Sequence, residues 1–183
     1  MTSLEISFLN GIQNTIGCKF CDIFFGLITH LGDAGIFWIL LACVFLILKK
    51  TRKAGIGIAI ALALGLIFGN VLLKNIICRT RPFYHENAVI SAEQLLISIP
   101  KDYSFPSGHT LASFSSATVI FAYNKKWGTA CYILAALIAF SRMYLFVHFP
   151  TDILAGFILS LLCSFASIYI VKRFFPERKQ TDS

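Results

Sequence analysis

Five apolar runs, at about 33–48, 54–73, 107–123, 127–147 and 151–171, constrain this chain more than any other feature. Each approaches the length an α-helix needs to cross a bilayer core, about 20 residues within a range of about 17–25. The first is short, so its helix is expected to begin nearer Leu31. An isolated strand leaves its backbone N–H and C=O groups unsatisfied in lipid, whereas a helix satisfies its own. Composition agrees. The 183 residues are 57% hydrophobic and 14% charged, with a mean hydropathy of +0.75. Soluble domains run at about 45–50% apolar and about 25% charged. The expectation is an all-α integral membrane protein, one domain over residues 1–183. It is a bundle of five transmembrane helices with an interfacial N-terminal helix.

The net charge of +7 would suit a nucleic-acid binder, but its distribution does not. Ten of the sixteen basic residues form three clusters: Lys49, Lys50, Arg52 and Lys53; Lys125 and Lys126; and Lys172, Arg173, Arg178 and Lys179. Each abuts an apolar run, as cytoplasmic helix ends do. Placing all three clusters inside yields one alternating topology for the five spans. Residues 1–32 mix polar and apolar positions, and Phe8, Ile12, Ile16, Phe20 and Phe24 recur at helical spacing. They read as an amphipathic helix at the outer interface. A sixth span is the alternative and would put the N-terminus inside. No secretory signal is expected, because Glu5 stands where a basic region would be. Cys18 and Cys21 form a lone CxxC without further ligands at metal spacing, so no metal site is expected there. Gly65 and Gly69 form a GxxxG suited to close helix approach.

Residues 74–106 are the one long polar stretch and lie outside in this topology, as an extracytoplasmic active-site loop. Ser91-Ala92-Glu93-Gln94 has the pattern of a capping box. Lys74, Arg79, Arg81, Lys101 and Arg142 all map to this outer face, against the usual inside bias of basic residues. Charge at membrane depth is costly and marks function. Three stretches converge there: Lys74 to Arg81-Pro82; Pro106-Ser107-Gly108-His109 at the front of the third run; and Ser141-Arg142 through His148 to Asp152. Lys74, Arg81 and Arg142 supply positive charge, and guanidinium groups match phosphate oxygens. Ser107 and Gly108 place backbone N–H groups at a helix N-terminus, which attracts anions. The chemistry is that of a phosphate site. One neutral imidazole can attack phosphorus and the other, protonated, can supply the leaving group with a proton. Asp152 stands four residues after His148, which suits His148 as nucleophile and His109 as acid; spacing alone leaves the reverse assignment open. His30 and His85 read as helix-end or interfacial residues. Arg79 and Lys101 are read equally as lipid-headgroup contacts or loop supports and as members of the site.

These three motifs, K-x(6)-R-P, P-S-G-H and S-R-x(5)-H-x(3)-D, resemble those of the type 2 phosphatidic acid phosphatases, membrane lipid phosphate phosphatases related to vanadium haloperoxidases. The resemblance covers residues 74–152. It implies that His148 forms a phosphohistidine supported by Asp152 and that His109 protonates the leaving group. It implies that Lys74, Arg81, Ser107, Gly108 and Arg142 hold the phosphate, with no metal or other cofactor. The expected activity is hydrolysis of a lipid phosphate or diphosphate at the outer face of a cell membrane, with undecaprenyl diphosphate as substrate. Phosphatidic acid or phosphatidylglycerol phosphate is the alternative. A non-hydrolytic phospholipid-binding or transport protein is the competing class, and it would need the cations but not both histidines. No nucleic-acid partner is expected.

Overall fold

The structure is a computed structural model that describes residues 2–176; Arg178 and Lys179 of the third basic cluster lie outside the described residues. Helices α1 (Thr2–Ile16) and α2 (Lys19–His30) meet at a break at Gly17–Cys18. The Cys18 sulfur accepts from the Cys21 N–H at 3.4 Å, so the CxxC pair serves as the N-cap of α2. A tight 3-10 turn, Asp33–Gly35, then leads into α3 (Ile36–Ile47). The second apolar run begins as α4 (Arg52–Gly65), widens into a π-helical stretch at Leu66–Leu73 and ends as the short α5 (Lys74–Ile77). After the polar loop come α6 (Gly108–Tyr123), α7 (Lys125–Tyr144) and α8 (Pro150–Phe174).

Among the described residues, three helical segments are long and apolar enough to cross a membrane: Lys19–Ile47, Arg52–Tyr84 and Pro150–Phe174. The sequence-based boundary of the first span changes as a result. Helix α3 has 12 residues and spans only about 18 Å at 1.5 Å per residue. The crossing length is reached only by joining it to α2 through the bend. The expected N-terminal stripe is also divided. Ile12 packs against the core, but Phe8, Ile16, Phe20 and Phe24 are exposed, while Glu5, Ile6 and Leu9 of α1 and Phe25 and Thr29 of α2 turn inward. In lipid the outer surface of a bundle can be as apolar as its core, so an apolar stripe need not mark the buried side. The capping box is present at Ser91–Gln94 around a single 3-10 turn, with the Ser91 N–H donating to Gln94 Oε1 at 3.0 Å.

Small residues let the central helices approach. Gly65 and Gly69 both face Leu111 of α6, and Gly156 of α8 packs on the carbonyl of Ser107. Ser164 of α8 donates to the Ser115 carbonyl of α6 at 3.1 Å, and the Trp38 indole of α3 donates to Ser113 at 2.9 Å. Such contacts join helices where hydrophobic exclusion between them is weak. At one end, Gly57 of α4 lies against Val119 of α6 and Val171 of α8; at the other, Gly69 lies against Leu111 and Leu159. Helix α4 therefore runs antiparallel to α6 and α8. The basic turns at 49–53 and 125–126 and the end of α8 gather at one end of the bundle, and the three motifs gather at the other.

A Cβ added to Gly128 in α7 would lie 2.2 Å from the Phe121 Cα of α6, a backbone atom that cannot swing aside. Gly128→Ala should destabilise the detergent-solubilised protein by about 1–3 kcal/mol, read as a lower melting temperature. Gly26→Ala in α2, where a Cβ meets nothing within 4 Å, should leave the melting temperature unchanged or raise it, since alanine favours a helix by about 1 kcal/mol.

Candidate active site

A single cavity of about 520 Å³ is lined by Lys74, Arg81, Gly108, His109, Arg142 and His148, which are six of the eight residues singled out from the sequence. Helix ends bring them together. Lys74 follows the π-helical stretch, and Cys78, at φ 49°, turns the chain so that Arg81 returns toward the bundle. Arg142 sits in the last turn of α7, and its carbonyl accepts from the backbone N–H groups of Val147 and His148 at 3.1 and 3.3 Å, folding the next turn back over the site.

All three cations are buried, with side chains or residues less than a tenth exposed. Buried charge requires partners. Asp102, from the polar loop, supplies them to two of the three. Its carboxylate lies 2.5 Å from Lys74 Nζ and 2.6 Å from Arg81 Nη2. Burial would raise the Asp102 carboxyl, but the Lys74 ammonium and the Arg81 guanidinium outweigh it and hold the group down at about 2. The stability this bridge lends is complete above the ordinary aspartate value of 3.8 and fades as pH falls toward 2. Arg81 also donates to the Val147 carbonyl at 2.7 Å. Arg142 donates to the Thr29 hydroxyl, while its Nε is buried with no partner among the described residues. A carboxylate thus occupies part of a cation cluster that retains unused donors. The amide oxygen of Asn70, one turn before Lys74, also lines the cavity and is buried without a partner among the described residues.

Ser107 has a different place from the one its motif suggests. Its N–H donates to the Asp152 carbonyl at 3.1 Å, and its hydroxyl caps Thr110. That use of its N–H leaves Gly108 and His109 at the open first turn of α6, where backbone donors await an acceptor. Ser107 instead ties the start of α6 to the start of α8.

His148 is buried, with Nδ1 3.5 Å from Asp152 Oδ2 and Nε2 3.4 Å from Arg81 Nη1. The first distance is longer than a good hydrogen bond but within ion-pair range. Asp152 is fully enclosed. Its carboxylate accepts from the Phe149 N–H at 2.8 Å, from the Ser104 hydroxyl and from Arg79 Nη1 at 2.6 Å. Arg79 in turn donates to Glu5 and to the Thr151 hydroxyl, each at 2.6 Å, and lies 3.9 Å above the Phe149 ring, while Thr151 donates to Glu5. Arg79 thus belongs to the site, beneath Asp152, and Glu5 of α1 belongs with it. His109 Nε2 is 2.9 Å from Asp33 Oδ1, and His30 Nδ1 is 2.7 Å from Asp33 Oδ2.

Asp102, Ser104, Asp33 and Glu5 were not singled out by motif. Only Glu5 carries a signal, as the one charged residue among the first eighteen. The others sit in loops or turns whose partners are set by packing.

A family profile described as PAP2 superfamily matches residues 54–176. The chain is 37% identical over 134 residues to an undecaprenyl-diphosphatase of Sulfolobus acidocaldarius, covering 73% of this chain and 63% of that one. It is 35% identical over 116 residues to a putative undecaprenyl-diphosphatase, YbjG, of Escherichia coli, covering 63% of this chain and 56% of that one. The chain thus spans somewhat over half the length of these relatives. Two crystal structures share its fold. One is LpxE of Aquifex aeolicus, with a TM-score of 0.74, 27% identity, and coverage of 91% of this chain and 95% of that one. The other is a transmembrane PAP2-type phosphatidylglycerolphosphate phosphatase of Bacillus subtilis, with a TM-score of 0.72, 25% identity, and coverage of 96% and 88%.

If Asp102 competes with an incoming anion for Lys74 and Arg81, Asp102→Asn should bind inorganic phosphate or orthovanadate more tightly. A gain of about tenfold is expected in calorimetric titration, corresponding to one charge-assisted hydrogen bond of about 1.5 kcal/mol. Unchanged or weaker binding would mean that Asp102 positions the cations instead.

Proposed function

Because the chain belongs to the PAP2 superfamily, we propose that it is an integral-membrane lipid phosphatase that hydrolyses a lipid phosphate or diphosphate through a phosphohistidine, with undecaprenyl diphosphate as its substrate. One observation carries this reading: three buried cations and two histidines line the same cavity, which continues past Ala61, Gly65, Leu66 and Ala112 between α3, α4 and α6. A phosphate can sit among the cations while its apolar chain runs along the small-residue wall toward lipid. The similarity to undecaprenyl-diphosphatases of Sulfolobus acidocaldarius and Escherichia coli supports the choice of substrate class.

The steps follow from this geometry. Lys74, Arg81 and Arg142 neutralise the phosphoryl oxygens, and the N–H groups of Gly108 and His109 add donors at the N-terminus of α6. Asp152 faces His148 Nδ1 and favours a proton there, and the Nε2 lone pair, which faces Arg81 Nη1 at 3.4 Å, attacks phosphorus once the phosphate engages Arg81. As the N–P bond forms, the P–O bond to the leaving group breaks, and protonated His109 gives that oxygen its proton. His109, now neutral, takes a proton from water as the water oxygen attacks the phosphohistidine. Inorganic phosphate leaves and His148 is restored. Ser107 contributes by fixing α6 against Asp152. The positive charge needed at phosphorus comes from side chains, so the reaction is proposed to need no metal. The site is placed on the extracytoplasmic face because the basic turns at the opposite end favour the cytoplasm.

Purified protein should release phosphate from undecaprenyl diphosphate faster than from phosphatidic acid or phosphatidylglycerol phosphate, equally with and without EDTA. Binding of these lipids without release would instead identify a lipid-binding protein. His148→Ala should lose about a thousandfold or more in turnover. Arg79→Ala should lower kcat by about ten- to a hundredfold with little change in KM, the range found when the partner of an orienting group is removed at histidine-based metal sites.

A further inference from the structure

We infer that Asp33 is a positioning residue for His109 that favours its protonated, acid form, so that the site contains two histidine–carboxylate pairs rather than one. This rests on the phosphatase reading above. His109 Nε2 lies 2.9 Å from Asp33 Oδ1, a hydrogen-bonding distance. The other carboxylate oxygen is held by His30 at 2.7 Å.

The backbone around Asp33 is shaped to the imidazole. Ala34 and Gly35 both have left-handed conformations, at φ 49° and 68°. For alanine this conformation is unfavourable, because its Cβ crowds the following carbonyl. Such strain persists where its surroundings require it. Gly32 packs against the ring, so a Cβ there would lie 2.5 Å from His109 Cδ2. The turn between α2 and α3 therefore closes directly on His109.

Electrostatics supplies the reason for a carboxylate. Lys74, Arg81 and Arg142 line the cavity that His109 borders. A fourth positive charge on His109 is opposed by these three, and a neighbouring anion offsets that repulsion. An imidazolium has two N–H groups. Asp33 accepts from the one on Nε2, leaving the one on Nδ1 for the departing oxygen. When that proton moves to the oxygen, the P–O bond has broken and its electrons reside on the leaving group. Asp33 remains a carboxylate throughout.

A merely structural ion pair would hold the turn to α6 but would not depend on the leaving group. The test compares an alkyl phosphate, short-chain phosphatidic acid, with p-nitrophenyl phosphate, whose phenolate departs without needing a proton. General acid catalysis contributes about 10²–10⁴-fold where protonation matters. Asp33→Asn should lower kcat for the alkyl substrate by at least about tenfold and for the aryl substrate by less than about threefold. Asp33→Glu should recover much of the alkyl activity, and His109→Ala should show the same asymmetry more strongly. Melting temperatures in detergent verify that each variant is folded. Equal losses on both substrates in Asp33→Asn, with the asymmetry present in His109→Ala, overturn the role of Asp33 alone. No asymmetry in His109→Ala overturns its assignment as the acid, and this inference with it. No phosphate release by the unaltered protein overturns the phosphatase reading itself.

Discussion

Three cations are buried at one end of a bundle whose flanks are largely apolar, and the surrounding structure answers to that burden. Lys74, Arg81 and Arg142 are each less than a tenth exposed. Isolated charge in such surroundings is expensive unless it is paired and hydrogen-bonded. The chain brings carboxylates and carbonyls to it from several elements. The polar loop carries Asp102 to Lys74 and Arg81, the turn after α7 offers the Val147 carbonyl, and α2 presents Thr29 to Arg142. Compensation is incomplete at Arg142 Nε, and that imbalance suits an anion that comes and goes. A fully satisfied cluster would have less to gain from phosphate.

The second organising device is the use of helix ends. Four motif residues that border the cavity stand where a helix begins or stops: Gly108 and His109 at the start of α6, Arg142 at the end of α7, and Lys74 after the π-helical stretch. Asp152 lies in the first turn of α8 and accepts from the Phe149 N–H beside it. Helix starts provide unpaired N–H groups, and rigid helices on small-residue interfaces fix their positions. Gly156 against the Ser107 carbonyl and Ser107 against the Asp152 carbonyl couple the start of α6 to that of α8, so the two histidines share one frame.

The N-terminal helices gain a role from this arrangement. Read as an apolar stripe of phenylalanine and isoleucine, they suggest only attachment to an interface. In the structure their inward faces carry Glu5 to Arg79, Thr29 to Arg142 and, through the bend that follows, Asp33 to His109. The apolar stripe marks mainly the lipid side. Periodicity reports where apolar residues lie on a helix, and in a membrane that is not enough to tell the core side from the outside.

The sequence by itself determined the helical, membrane-spanning class, the basic end of the bundle and the motif residues that border the cavity. These are legible because each depends on residue type and short-range spacing: run length against bilayer thickness, charge beside an apolar run, and histidine, arginine and lysine at fixed intervals. Tertiary structure alone decided the partners. Asp33 meets His109 across 76 residues, Glu5 meets Arg79 across 74, and Asp102 meets Lys74 across 28. It also decided that Ser107 ties helices together with its N–H and that Arg79 turns inward. No local pattern encodes these pairings. A carboxylate in a loop or turn acquires its role only when helix packing sets which buried charge lies within hydrogen-bonding reach.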